Sequence, residues 1–171
     1  PEYLMSKGFI DNPLYPDRCP LEETKTIPLP QNPNKTIEVH YVRMHENTGG
    51  AGGFNEGVKR AYNGYDWLWL MDDDVRADEQ SLENLVDTRK LIENRTHKAT
   101  AALSCARFDC DDKPCCEEHK KINESTPFIK RHKHYVDTRD LDKDFLSMQA
   151  VTFEGMFVDT IYIRKIGFPD K

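Results

Sequence analysis

The chain lacks a basic surplus. Its 171 residues hold 24 Lys and Arg against 30 Asp and Glu, a formal net charge of -6, so it advertises no broad face for nucleic-acid backbones, and no nucleic-acid partner is expected. A long apolar run is also missing. The longest, Trp67 to Met71, falls far short of the roughly 18 residues a membrane helix needs. The opening Pro1-Glu2-Tyr3-Leu4-Met5 has no charged segment followed by an apolar one, which excludes a signal peptide from the residues at hand and points to the cytoplasm. The five cysteines are odd in number, which suits a reducing compartment better than a disulfide framework. Cys105, Cys110, Cys115 and Cys116 do cluster, but their spacing only stretches the close pairs of a zinc site, so free thiols are expected. The length suits one domain with a sizeable core and is short for two.

Seven of the ten prolines fall within the first 36 residues, and that segment reads as irregular. Inside it, Gly8-Phe9-Ile10-Asp11-Asn12 reads either as a short strand delivering an Asp-Asn pair or as an Asx turn before Pro13. Thr36 to Met44 alternates like a strand, with β-branched and aromatic residues throughout. A glycine-rich turn follows, from Asn47 to Asn55, and then Phe54, Val58, Ala61 and Tyr62 recur at helical spacing to Asn63. Trp67 to Met71 reads as a buried strand, parallel to the first across a βαβ unit. A helix capped by Asp78 or Ser81 runs to about Glu93, and Thr100 to Ala106 reads as a third buried strand. The alternation predicts an α/β fold with a mostly parallel sheet flanked by helices.

From Arg107 to Asp144 the chain turns polar, an excursion with at most a short antiparallel pair around Phe128 and Tyr135. Its basic run, Lys130 to His134, reads as a solvated face. Phe145 to Ile163 returns to sheet-like content, broken at Glu154-Gly155, where a glycine in a strand pattern marks close approach of a ligand or another backbone.

Two motifs carry chemistry. Glycines at 49, 50, 52 and 53 let a backbone come close to a ligand, but no Gly-Lys-Ser/Thr follows, so this is not a P-loop. A dinucleotide fingerprint fails too, for want of its third glycine. Asp72-Asp73-Asp74 ends the apolar strand where open α/β sheets bind ligands. On an extended segment Asp72 and Asp74 point the same way and share one hard cation, while Asp73 faces elsewhere. The competing reading is three carboxylates favoured at a helix start. A calcium loop fails because Arg76 and Ala77 stand at its fifth and sixth positions.

Taken in order, Asn47-Thr48-Gly49-Gly50-Ala51-Gly52-Gly53-Phe54-Asn55-Glu56-Gly57, the aromatic strand and Asp72-Asp73-Asp74-Val75 resemble a family 2 glycosyltransferase of the GT-A fold, and within it the bacterial galactofuranosyltransferase and rhamnosyltransferase group. The resemblance is tight from Val39 to about Leu85. It is looser at Phe9 to Asn12, at Glu154-Gly155-Met156 and at Ile166 to Asp170. It implies a nucleotide-sugar donor, commonly a UDP-sugar with UDP-galactofuranose among the options, and a saccharide or lipid-linked saccharide acceptor in cell-surface polysaccharide synthesis. It also implies Mn2+ or Mg2+ held by Asp72 and Asp74. Asp73 would contact the donor, Asn47, Gly52, Gly53 and Asn55 would line the nucleotide side, Asp11 would lie near base and ribose, and Gly155 would pass beneath the sugar. Trp67 and Trp69 are expected in the core.

Two departures stand out. Phe54 occupies the position where many relatives carry an Arg, and the family's catalytic base belongs after the Gly-Phe-Pro-Asp turn, where these residues stop. Inverting transfer needs a carboxylate to accept the acceptor proton, and only Glu154 and Asp170 stand in as weak candidates. The expectation is therefore a single, partial GT-A domain over 1–171 with weak or no transfer activity alone. Any peripheral attachment to the inner face of the plasma membrane is left to missing regions. The alternatives are a nucleotidyltransferase, though its glycine turn would carry a basic residue, and a non-catalytic nucleotide-sugar-binding domain.

Overall fold

The computed structural model describes residues 2–11, 21–29, 31–115, 120–121, 142–150 and 153–169. The chain divides into two compact units, Pro1–Gly49 and Gly50–Lys171.

The first unit opens with a short helix, α1 (Glu2–Ser6), closed by Gly8 at φ 73° and by the Phe9 amide donating to the Leu4 carbonyl at 2.9 Å. A helix therefore precedes Asp11 where the end of a strand was one expectation. The Asx-turn alternative rests on Asn12 and Pro13, outside the described residues. The proline-rich segment expected to be irregular contains β1 (Leu21–Leu29), which pairs antiparallel with β2 (Asn32–Arg43). Thr24, Thr26 and Ile27 favour extended chain, and Pro28 is tolerated because it lies at the ladder's end, where the register shifts. The strand expected at Thr36 to Met44 is thus real and longer, but its partner is β1, not the Trp67 strand.

The second unit is built around α2 (Gly49–Ala61) and a three-stranded sheet. Five of the thirteen residues of α2 are glycine, each costing a helix interior roughly 0.5–1 kcal/mol relative to alanine. Propensity does not hold this helix; packing does. Val58 is buried against Leu68 and Ile163, with Ala61, Tyr62, Leu70 and Val158 around them. The expected glycine turn is therefore the first turns of a helix. Only Gly49 has a positive φ there, 69°, and the Asn47 side-chain oxygen accepts its amide at 2.9 Å.

Strand β3 (Trp67–Leu70) leads through the aspartates to α3 (Ser81–Thr96), which ends on His97 in the left-handed conformation, and then to β4 (Ala102–Ser104). Neither residue expected to cap this helix does so: Gln80 is the N-cap, without a side-chain capping bond, Ser81 is the first helical residue, and the Asp78 carboxylate accepts the Gln80 amide at 3.3 Å. Leu85 is the buried residue of α3, while Arg89 lies over the Trp67 ring at 5.2 Å. Strand β4 is short and its side chains are half-buried or exposed, not the buried run expected.

Between β3 and β4 lies β7 (Met156–Asp159), antiparallel to both. Strands β3 and β4 run the same way but are not neighbours, and the parallel pairing expected between the Thr36 strand and the Trp67 strand is not formed. Every strand pairing among the described residues is antiparallel, including β5 (Lys120–Lys121) with β6 (Met148–Ala150), so the mostly parallel sheet is not what these residues build. Most of the 107–144 excursion, including the Phe128 and Tyr135 pair and the basic run, lies outside the described residues. Its start is a tight turn in which the Asp109 amide and the Lys113 carbonyl bond at 2.9 Å, with Phe108 bridged to Pro114.

The segment Ile161-Tyr162-Ile163, expected as strand, lies in α4 (Thr160–Ile166). Asp159 caps it, its carboxylate accepting the Ile161 amide at 2.8 Å, and Gly167 ends it. The β-branched residues give way to burial, since Thr160 and Ile163 point into the core. Cys105, Cys110 and Cys115 are free thiols.

Candidate functional site

Helix α2 and the end of β3 wall a cavity of about 410 Å³, within the range of small-molecule sites. From α2 come Gly50, Gly53, Phe54, Gly57 and Val58; from β3 and its extension come Trp69, Leu70, Met71, Asp72 and Asp73. The walls are mostly apolar, and the two aspartates supply the charge. Such a mixture can hold the flat part of a ligand by contact and its polar part through oxygen chemistry.

The aspartates sit in a turn: the Val75 amide bonds to the Asp72 carbonyl at 3.4 Å. The extended geometry that would align Asp72 with Asp74 therefore ends at the strand. Asp72 is half-buried on the cavity wall beside Asp73, while Asp74 is exposed and absent from the lining. Among the described residues no group of three or more His, Cys, Asp or Glu side chains is arranged to hold a metal ion. Hard carboxylate oxygens at a cavity mouth nonetheless suit Mg2+ or Mn2+, which commonly take only one or two protein carboxylates and complete their shell with water and phosphate oxygens.

Gly155 is held against β3. Its amide donates to the Leu70 carbonyl at 2.8 Å, and its carbonyl accepts from Trp69 Nε1 at 3.2 Å. Its φ of 83° is a conformation that favours glycine. A Cβ at Gly155 would meet nothing within 4 Å, so the glycine answers to its φ and not to the close approach anticipated from the sequence. Phe153, two residues earlier, stacks on the cavity residue Phe54 with centroids 5.0 Å apart. The Glu154 carboxylate is engaged by the Arg107 guanidinium. Asp170, the other proton-acceptor candidate, lies outside the described residues.

Asn55 is buried on α2, and its side-chain amide donates to the Pro169 carbonyl; it is not part of the cavity lining. With Phe168 edge-on to Tyr62 at 5.0 Å and Arg164 donating to the Tyr62 carbonyl at 3.0 Å, that bond fastens the segment after α4 to α2. Gly52 is buried in the same helix, whereas Gly53 faces the cavity. Asn47 braces the start of α2 through Gly49. Asp11, in the first unit, gives its carboxylate to Lys25 and its amide to Glu23 Oε1 at 2.6 Å, which ties it to β1.

Phe54, Gly57 and Trp69 line the cavity without having been read from the sequence as ligand-facing groups. The spacing of 50, 53, 54, 57 and 58 is helical, and that was the available signal. Of the two tryptophans expected in the core, Trp67 stacks on Phe157 at 4.6 Å, while Trp69 lines the cavity.

Away from the cavity lining, burial pushes the Cys105 thiol up from its ordinary value.

Comparison with known families singles out the same stretch. Residues 28–96 match the family model described as Glycosyl transferase family 2. The match runs from the end of β1 through α2, β3 and the aspartates to the end of α3, so it is this stretch that is similar to family 2 glycosyltransferases. Asp11, Glu154 and Gly155 lie outside it. No curated protein and no solved structure matches the chain. Among the described residues no helix is long and apolar enough to cross a membrane.

Proposed function

We propose that the chain carries the donor half of a metal-dependent inverting glycosyltransferase, which takes a sugar from a UDP-sugar, UDP-galactofuranose among the candidates, for a saccharide or lipid-linked saccharide acceptor. The supporting observation is the convergence of the glycine-bearing face of α2 and the aspartate end of β3 on one cavity, inside the stretch that matches the glycosyltransferase family. Asp72 and Asp74 are the proposed ligands of Mn2+ or Mg2+, and Asp73 the proposed contact to the donor. A divalent cation there neutralises the diphosphate as it leaves. The turn at Asp72 to Val75 leaves the side chain of Asp74 at the surface, where a ligand approaching from outside brings its own oxygens to complete the shell.

With Glu154 engaged by Arg107, a proton acceptor for the acceptor hydroxyl is sought elsewhere, and these residues are read as binding the donor without robust transfer. The reading places the work in the cytoplasm, in cell-surface polysaccharide synthesis.

Calorimetry of UDP in the presence and absence of Mn2+ tests the proposal. Wild type should bind UDP only with the metal, and Asp72→Ala and Asp74→Ala should each weaken that binding by roughly tenfold or more, the worth of a charge-assisted contact. Wild-type protein indifferent to UDP and Mn2+ would favour a non-catalytic interaction domain.

A further inference from the structure

We infer that Gly57 is a specificity-determining residue of the cavity, kept without a side chain so that a flat ring of the bound nucleotide sugar can lie against the backbone of α2. The inference rests on the donor reading above. Three glycines of α2 line the cavity, Gly50, Gly53 and Gly57, and none has the positive φ that would oblige the fold to use glycine. Nor does packing demand it: a Cβ built on any of the three meets nothing within 4 Å. Gly57 lies well inside a helix that runs to Ala61, where glycine weakens the helix most plainly and alanine would fit. The protein itself thus supplies no reason for the residue. The space in front of it is the cavity, whose other wall bears the indole of Trp69 and the carboxylates of Asp72 and Asp73.

Gly50 to Gly57 span about 10 Å of α2, at 1.5 Å of rise per residue, with Phe54 on the cavity side between Gly53 and Gly57. Backbone without a side chain at Gly57, beside the aromatic side chains of Phe54 and Trp69, makes a slot for something thin and partly apolar. A nucleobase and the carbon face of a sugar ring share that shape, and the independent match of this stretch to nucleotide-sugar transferases supplies a ligand that contains both.

Gly57→Ala therefore separates the needs of the fold from those of the ligand. In the full chain it should raise Tm by about 1–4 °C, because alanine is the better helix former and finds open space. The same substitution should raise the Kd for UDP or for UDP-galactose, measured with Mn2+, roughly tenfold, because the methyl group occupies ligand space. Loss with UDP itself puts the nucleotide at Gly57, and loss with UDP-galactose alone puts the sugar there. Gly64→Ala, off the cavity and with room at 3.7 Å from the Ala61 carbonyl, should bind as wild type does. A Gly57→Ala protein that binds both ligands normally, or one that melts lower than wild type, overturns the inference while leaving the donor reading intact. Wild-type protein that binds neither ligand overturns both.

Discussion

Gly155 and Gly57 are the same residue type under opposite constraints. Gly155 is held at φ 83° by hydrogen bonds on both its amide and its carbonyl, and a Cβ there would meet open space. The cost of a side chain is therefore purely that of the backbone, about 1–2 kcal/mol for a left-handed conformation. Gly155→Ala should lower Tm by about 2–8 °C in thermal denaturation, a fall where Gly57→Ala gives a rise. Unchanged melting would mean that the turn relaxes and that Gly155 does not fix the end of β3. Cys105 offers a second test at this scale. Burial holds its thiol protonated to higher pH than usual, whereas Cys110 is exposed. Alkylation followed by peptide mass spectrometry at pH 8 should label Cys110 first, with the Cys105 rate rising only at higher pH. The sign for stability follows. Below the ordinary thiol range both folded and unfolded chains keep the proton and the contribution is fully present; as pH rises through the raised Cys105 value it is lost, because the unfolded chain ionises first.

At the scale of elements, α4 shows why local preference misled. Ile161 and Ile163 favour a strand, yet Asp159 at the cap and Gly167 at the end outweigh them, and Ile163 packs into the core with Val58 and Leu68. Asp159→Ala should cost about 1 kcal/mol, read as a Tm lower by about 2–4 °C, because the Ile161 amide loses its acceptor. A protein that melts unchanged would show the cap satisfied by water. Where strand, helix and aspartates follow one another locally, from Trp67 to Thr96, the pattern was legible: a contiguous apolar run for β3, three carboxylates at its end, a periodic helix after them. Long-range pairing was not. Nothing near Trp67 announces that Met156 to Asp159 will insert between β3 and β4, because the pairing information lies some ninety residues away. Glycine density hid the start of α2 in a similar way, since five glycines in thirteen residues argue for a turn until Val58 and its partners are seen to hold the helix. The aspartates were legible as the charged end of β3, whereas their turn, and with it the place of Asp73 and not Asp74 on the cavity wall, depends on a backbone bond that no residue pattern foretells.

For the molecule as a whole, charge sets the order in which ligands can act. The chain carries a net charge of -6, and the cavity adds Asp72 and Asp73 to the place proposed for a diphosphate, so the anion alone meets repulsion. A cation alone meets few protein ligands, since no ready-made group of three or more metal-binding side chains exists among the described residues. Each ligand therefore completes the site for the other, and their binding free energies should couple. A ligand at a hundred times its Kd stabilises the folded state by about 2.7 kcal/mol, which for a chain of this size corresponds to a Tm rise of roughly 5–10 °C. Thermal denaturation should show that rise with UDP and Mn2+ together, and a small fraction of it with either alone. Chelation should return the melting curve to that of the free protein, and Asp72→Ala should cut the joint shift by about half or more without lowering the starting Tm by more than about 1–2 °C, because a half-buried carboxylate in a turn held by a backbone bond contributes little to the fold. Separate shifts that merely add would mean that metal and nucleotide bind apart, and the aspartates would then not be the bridge between them.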